Sequence, residues 1–168
     1  MPRIDEDQWQ ERIYGAITLA ASRKHAMQNI LVATDGSRRA NRAVIAAAQL
    51  AKATNAALCV VTVGGNVSGS ELKHLVRGEG DIGEALELLS NQVLNQASKR
   101  AKRVGAAKIK LRSGWGDAAE VIIDTARREK ADTIVVGRRG RGRLAGLVLG
   151  SVSQKIASLA PCMVVIVP

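Results

Sequence analysis

Short apolar runs and amphipathic stretches take turns along most of this chain. Ile30–Ala33, within NILVATDGS, is a continuous apolar run of the kind carried by a strand buried on both faces. It gives way to a turn at Asp35-Gly36-Ser37, where Ser37 is placed to cap a helix. From Arg38 to Thr54, Ala40, Ala43, Val44, Ala47, Leu50 and Ala51 recur at helical spacing, and Asn55 closes the helix. Ala57–Val63 reads as a second strand, and residues 64–80, rich in Gly and Ser, as a loop holding at most one helical turn. A long helix then follows from Asp81, with Ile82, Leu86, Leu89, Val93, Ala97, Ala101 and Val104 on one face and Gly105 as its stop. Ile109–Arg112 is a third strand and Gly114-Trp115-Gly116-Asp117 a turn. Asp117 followed by Glu120 has the spacing of a capping box for a helix over Ala118–Lys130 that buries Val121, Ile122 and Thr125. Thr133–Val136 is a fourth strand. A glycine-rich loop, a helix from about Ser151 to Leu159 and a fifth strand, Met163–Val167, complete the pattern.

Strands that alternate with helices in this way pair in parallel, because each helix carries the chain back across the sheet. The expected product is an open, mostly parallel α/β sheet with helices on both faces. Ligands of such sheets bind beyond the carboxyl ends of the strands, where the strand order reverses. Residues 1–28 read as an addition to a domain spanning 29–168. Trp9, Ile13, Ile17 and Ala20 share a helical face with Tyr14 beside it, which fits an amphipathic helix docking on the body or on a partner. Its polar face is not rich enough in Lys and Arg to favour a membrane surface.

Composition narrows the classes. With 168 residues, 46% hydrophobic and 24% charged, the chain fits one globular domain. No apolar run is long enough to span a bilayer, and the opening MPRIDEDQWQ is polar and acidic, so a cytoplasmic protein is expected. Cys59 and Cys162 sit in apolar runs and are expected as reduced core thiols; His25 and His74 are expected on the surface, and no metal site is expected. The net charge of +10 favours polyanionic partners. Two Trp, one Tyr and no Phe leave a single-strand binder without its stacking rings.

The densest chemistry lies in VVGRRGRGRLAGLVLGSVSQK, residues 135–155, with the spacing Gly137-x2-Gly140-x9-Gly150-Ser151. No Gly-Lys-Ser/Thr closes it as in a Walker loop, and it does not follow a first strand as a G-x-G-x-x-G turn would. Glycines at a strand exit let a ligand approach the backbone closely, and Gly150-Ser151 at a helix start offers unpaired N–H groups to an anion. A phosphate chain fits from Gly140 to Ser151, with a side chain at Gly150 taking the phosphate's space. A plain loop before a capped helix fits the same residues.

This spacing, with ADTIVVGRRG, VLGSVSQK, the ending APCMVVIVP and the opening NILVATDGS, resembles the ATP-binding universal stress protein family over residues 29–168. The resemblance implies a Rossmann-like five-stranded sheet of order 3-2-1-4-5, with ATP or AMP held between strands 1 and 4. It places Ala33, Thr34 and Asp35 at the nucleotide, with Asp35 on the ribose, and the backbone near Thr62 at the adenine. Gly137 would lie close to the ribose. Gly140, Gly150, Ser151, Val152 and Ser153 would lie along the phosphates, with Mg²⁺ as a bridging ion. Arg139, with Arg138, Arg141 and Arg143, either clamps the phosphates or forms a solvated rim.

Three functions follow. The leading one is a nucleotide-dependent regulatory protein. A slow ATPase is the second, although no good base for water is visible and no catalytic residue is assigned. A nucleic-acid binder is the third, and it requires the loop arginines and the KRAKR cluster, residues 99–103, on one face. In the implied order Met163–Val167 is an apolar edge strand, which suits a two-fold homodimer through antiparallel pairing.

Overall fold

A computed structural model of the chain describes residues 27–64, 82–140 and 149–168. They form β1 (Asn29–Ala33), α1 (Arg38–Thr54), β2 (Ala57–Gly64), α2 (Ile82–Val104), β3 (Ile109–Trp115), α3 (Ala118–Arg128), β4 (Thr133–Gly137), α4 (Ser151–Leu159) and β5 (Met163–Val167). The strands make one five-stranded sheet of order β3-β2-β1-β4-β5, with every neighbouring pair parallel. The fold expected from the alternation and the resemblance is therefore the fold observed. The N-terminal helix, residues 65–81, His25, His74, Arg141 and Arg143 fall outside the described residues.

Strand alternation divides the core in two. Ile30, Val32, Leu58, Val60 and Val135 pack against α1 and α2. Leu31, Cys59, Val61, Ile134 and Val136 pack against α3 and Ile156 of α4. Ile30, Leu31 and Val32 are each 0% exposed, so β1 is covered on both faces and paired on both edges. Each such side chain contributes about 1.5–3 kcal/mol through its removal from water. Helix α1 meets the sheet through Ala43, Ala47, Ala48 and Ala51, whose small side chains allow a close approach. Its ends are those the sequence predicts. Ser37 Oγ accepts from Ala40 N–H at 3.2 Å, and Asn55 closes the helix at φ +53°.

The lower end of the sheet is pinned by one carboxylate. Asp132 Oδ2 accepts from the N–H groups of Gln28 (2.7 Å) and Asn29 (2.8 Å), tying the entry of β1 to the entry of β4. Met27 also packs against the core, so contacts with the sheet begin two residues before the expected boundary at 29.

Several local expectations fail for identifiable reasons. Strand β3 runs on to Trp115, because Gly114 and Trp115 pair with Val63 and Gly64 of β2. Val121 fills the place of a side chain at Gly114, where a Cβ would come within 2.4 Å of its Cγ1. That contact leaves Val121 half-buried and confines the turn to Gly116, at φ +119°, and Asp117. Helix α3 ends at Arg128, not Lys130, since Lys130 adopts φ +52° and Ala131 N–H reaches back to Ala126 O at 2.8 Å. This is the glycine-type helix stop made with a lysine, so no glycine marked it. Asp117 caps Glu120 N–H at 3.0 Å, but the Glu120 carboxylate pairs with Lys155 of α4 at 2.9 Å. Along α2 the fully buried positions are Ser90, Leu94, Ala97, Ser98 and Ala101, while Leu86, Leu89 and Val93 are half-buried. A helix of 23 residues outruns a strand of eight, and its first turns pass beyond the sheet. Burial pushes the Cys59 thiol up to about 11, as expected of a core thiol. Cys162, one residue before β5, is only partly buried.

Thr133 of β4 is wholly buried, and its Oγ1 has no hydrogen-bond partner. Thr133→Val keeps the shape and removes an unsatisfied polar atom, so stability should rise by about 1 kcal/mol. A denaturant midpoint that falls in this variant would contradict the assignment.

Candidate functional site

Strand order reverses between β1 and β4. From β1 the chain moves through α1 to β2 on one side; from β4 it moves through α4 to β5 on the other. The segments leaving β1 and β4 therefore diverge and leave a cleft above the strand ends. On the β1 side, Thr34 N–H donates to Val61 O of β2 at 2.9 Å, and Thr34 Oγ1 accepts from Gly36 N–H at 3.2 Å. Asp35 Oδ1 accepts from Ser37 N–H at 2.9 Å, which orients the carboxylate, and Gly36 makes the turn at φ +77°. Ala33, the last residue of β1, is half-buried below this turn, and Thr62 lies buried in β2 beside it, paired with Ser113.

The β4 side meets this turn directly. Gly140 lies so close to Asp35 that a Cβ on it would come within 2.8 Å of Oδ2. At Gly137 a Cβ would stand 3.4 Å from the carbonyl oxygens of Arg139 and of Arg39 in α1, so the strand exit is closely lined by backbone. Arg138 is the joint between these pieces. Its N–H donates to Val167 O of β5 at 2.6 Å, and its carbonyl accepts from Gly150 N–H and from Ser153 Oγ, both at 2.9 Å.

At Gly150 a Cβ would face the Arg138–Arg139 backbone, 3.4 Å from Arg139 Cα. These are ordinary contact distances, so Gly150 lies directly against that loop. Gly150 is also the N-cap of α4 and makes no side-chain cap hydrogen bond. The first N–H groups of α4, at Ser151 and Val152, are thus left at the positive end of the helix dipole. Ser151 is exposed, whereas Val152 packs on the core with its side chain. Ser153 is 3% exposed, and its hydroxyl lies within hydrogen-bond distance of Arg138 O (2.9 Å) and Gly150 O (2.8 Å). Its single proton serves the loop closure. Arg138 is exposed; Arg139 is half-buried, with its Nε shielded from solvent and lacking a hydrogen-bond partner. An orphaned guanidinium donor beside a glycine-lined exit fits an anionic ligand.

The structure thus gathers Ala33, Thr34, Asp35, Gly137, Arg139, Gly140, Gly150, Ser151, Val152 and Ser153 around one cleft, with Thr62 in the adjoining strand. The role of Arg138 was missed, because it acts through backbone groups that every residue carries and no side-chain pattern reports. The KRAKR cluster is not part of this region. Helix α2 runs opposite to the strands, so Lys99, Arg100, Lys102 and Arg103 in its last turns lie toward the far end of the sheet. Among the described residues, Arg138 and Arg139 stand at the carboxyl end of the sheet, opposite that cluster. Nor do they gather three or more His, Cys, Asp or Glu as a metal site, or include a helix long and apolar enough to cross a membrane.

A parallel sheet of this order, with a backbone-lined cleft at its switch point, defines a class of α/β nucleotide-binding-type folds. Within it, residues 27–168 match the model of the universal stress protein family, and the chain belongs to that family. It is 36% identical over 149 residues to a universal stress protein of Thermus aquaticus, covering 83% of this chain and 98% of the relative. Universal stress protein YxiE of Bacillus subtilis is 33% identical, over 82% of this chain and 97% of its own. Among solved structures, a universal stress protein in complex with cAMP superposes with a TM-score of 0.63 at 32% identity, covering 85% of this chain and 98% of that one.

Ser153→Ala should loosen the joint at Arg138. Loss of the hydroxyl that reaches the Arg138 and Gly150 carbonyls with its one proton should destabilise the protein by about 1 kcal/mol and speed amide exchange at Gly150. Unchanged exchange at Gly150 would show that the hydroxyl does not hold the loop.

Proposed function

We propose that the protein binds an adenine nucleotide, ATP or AMP, in the cleft between the ends of β1 and β4, and acts in the cytoplasm as a nucleotide-dependent regulator of the stress response. The observation that carries this reading is the approach of Gly140 to the Asp35 carboxylate, where a Cβ would come within 2.8 Å of Oδ2. In this reading Asp35 accepts from the ribose hydroxyls, with Ala33 and Thr34 forming the floor beneath it. The backbone beside Thr62 meets the adenine, and Gly137 lies against the sugar. Gly140, Gly150 and the N–H groups of Ser151 and Val152 take the phosphates, with the Arg139 guanidinium as counter-charge and Ser153 holding the loop in place. The relative at 32% identity solved with cAMP supports the ligand class. Mg²⁺ entering with ATP would be held chiefly by the phosphates themselves. These groups are donors and a ribose acceptor, a set suited to retention of a nucleotide rather than to activation of water.

Occupancy has a route to the sheet edge. A ligand on Gly140 and Gly150 grips both sides of the Arg138 joint, and Arg138 N–H holds Val167 of β5. Strand β5 lies at the edge, with Met163 49% exposed. Pairing of two β5 strands about a two-fold axis would close that edge and make nucleotide and assembly mutually dependent.

Calorimetric titration with ATP and AMP tests the ligand. Gly140→Val should abolish binding while the circular dichroism spectrum is retained. Asp35→Ala should weaken binding by about 1.5–3 kcal/mol, the range for a hydrogen bond to a charged group. Parental affinity in both variants would overturn the site. Sedimentation at micromolar concentration should give twice the 17.8 kDa chain mass, and a monomer under all nucleotide conditions would overturn the dimer.

A further inference from the structure

Trp115 is half exposed at the end of an edge strand, and nothing in the site described so far uses it. Its position is set by two facts. In register it pairs with Gly64, the last residue of β2, and its ring lies on that glycine: a Cβ on Gly64 would come within 2.3 Å of the ring. The indole therefore leans off β3 and over the end of β2, and only a glycine in β2 leaves room for it. Strand parity then fixes the face. Leu58 and Val60 point toward α1 and α2, and Thr62 and Gly64 follow on the same side at two-residue steps. The ring thus stands one such step above Thr62, at the same carboxyl end of the sheet as the Asp35 turn. Neighbouring strands are about 4.8 Å apart, so a ring over β2 is a single strand spacing from the column of β1.

A nucleotide with its ribose at Asp35 and its base toward Thr62 runs out beneath this ring. We infer that Trp115 is the outer aromatic wall of the base pocket and selects for a flat nucleobase by stacking. The inference rests on the nucleotide reading above. It accounts for an exposed tryptophan in a chain with few aromatic residues, seated on a glycine at the strand end. Stacking on an indole is tolerant of base identity but requires a base, so it separates nucleotides from sugar phosphates.

The test uses the full chain with Trp9→Phe, which leaves Trp115 as the only indole. AMP and ATP should quench or shift its emission, and ribose 5-phosphate should not. Trp115→Leu, which keeps an apolar contact on Gly64, should weaken AMP and ATP about tenfold by calorimetry and leave the weak binding of ribose 5-phosphate unchanged. Trp115→Phe should restore most of the loss. If AMP binds the parent tightly but emission stays constant and Trp115→Leu retains full affinity, the wall is refuted and the nucleotide site stands. If neither AMP nor ATP binds the parent, both readings fall together.

Discussion

The parallel pairing of β1 with β4, Ile30 to Thr133, Leu31 to Ile134 and Val32 to Val135, joins the two halves of the chain. Each half is a right-handed unit that winds away from this seam, one through α1 toward β2 and the other through α4 toward β5. The two units wind in opposite directions, and packed helices cover the seam on both faces. The Asp132 carboxylate fixes its lower end by holding the N–H groups of Gln28 and Asn29. At the upper end nothing continues the pairing, and the chain parts into two turns that face each other. The cleft is thus a geometric result of the seam.

What lines the cleft follows from how closely these turns approach. The core contains no phenylalanine, and α1 meets the sheet through an alanine stripe, so its first turn sits low over the strand ends. There the Arg39 carbonyl oxygen lies in contact range, 3.4 Å from where a Cβ at Gly137 would stand. Gly140 is the tight position, where a Cβ would come within 2.8 Å of Asp35 Oδ2, while Gly150 rests against the Arg138–Arg139 backbone at contact distance. Small residues in the helix and glycines in the loop are two parts of one packing solution, and the polar backbone they expose is the chemistry of the site.

Much of this was legible in the sequence. Ser37 and Asn55 mark the ends of α1 because caps depend on local groups, and the alternation of β1 and β2 residues with the α1 stripe dictates a covered parallel sheet. Of the spaced glycines, Gly137 ends β4 and Gly150 caps α4, as local strand and helix ends allow. The misreadings share a cause, which is that the deciding contact is remote in sequence. Gly114 and Trp115 look like a turn, yet Val121 and Gly64 complete a strand around them. Lys130 ends a helix in a conformation that lysine rarely adopts. Ser153 looks like a donor for a ligand, and its hydroxyl is claimed by two carbonyls of the loop. Spacing reports which residues come near a site, but not which of their hydrogen bonds the fold has already taken.

The two margins of the sheet are chemically unlike. Strand β5 offers Met163, Val164, Val165, Ile166 and Val167, while β3 presents Lys110 and Arg112, both bound to the Glu129 carboxylate at the foot of α3. Those cations draw Glu129 below its ordinary carboxylate range, so it stays ionised and the trio persists through mild acid. A second copy laid against β3 would bring Lys110 and Arg112 beside like charges on the neighbouring strand. An added strand would therefore meet hydrocarbon at one margin of the described sheet and fixed charge at the other, so the two edges are not interchangeable as surfaces.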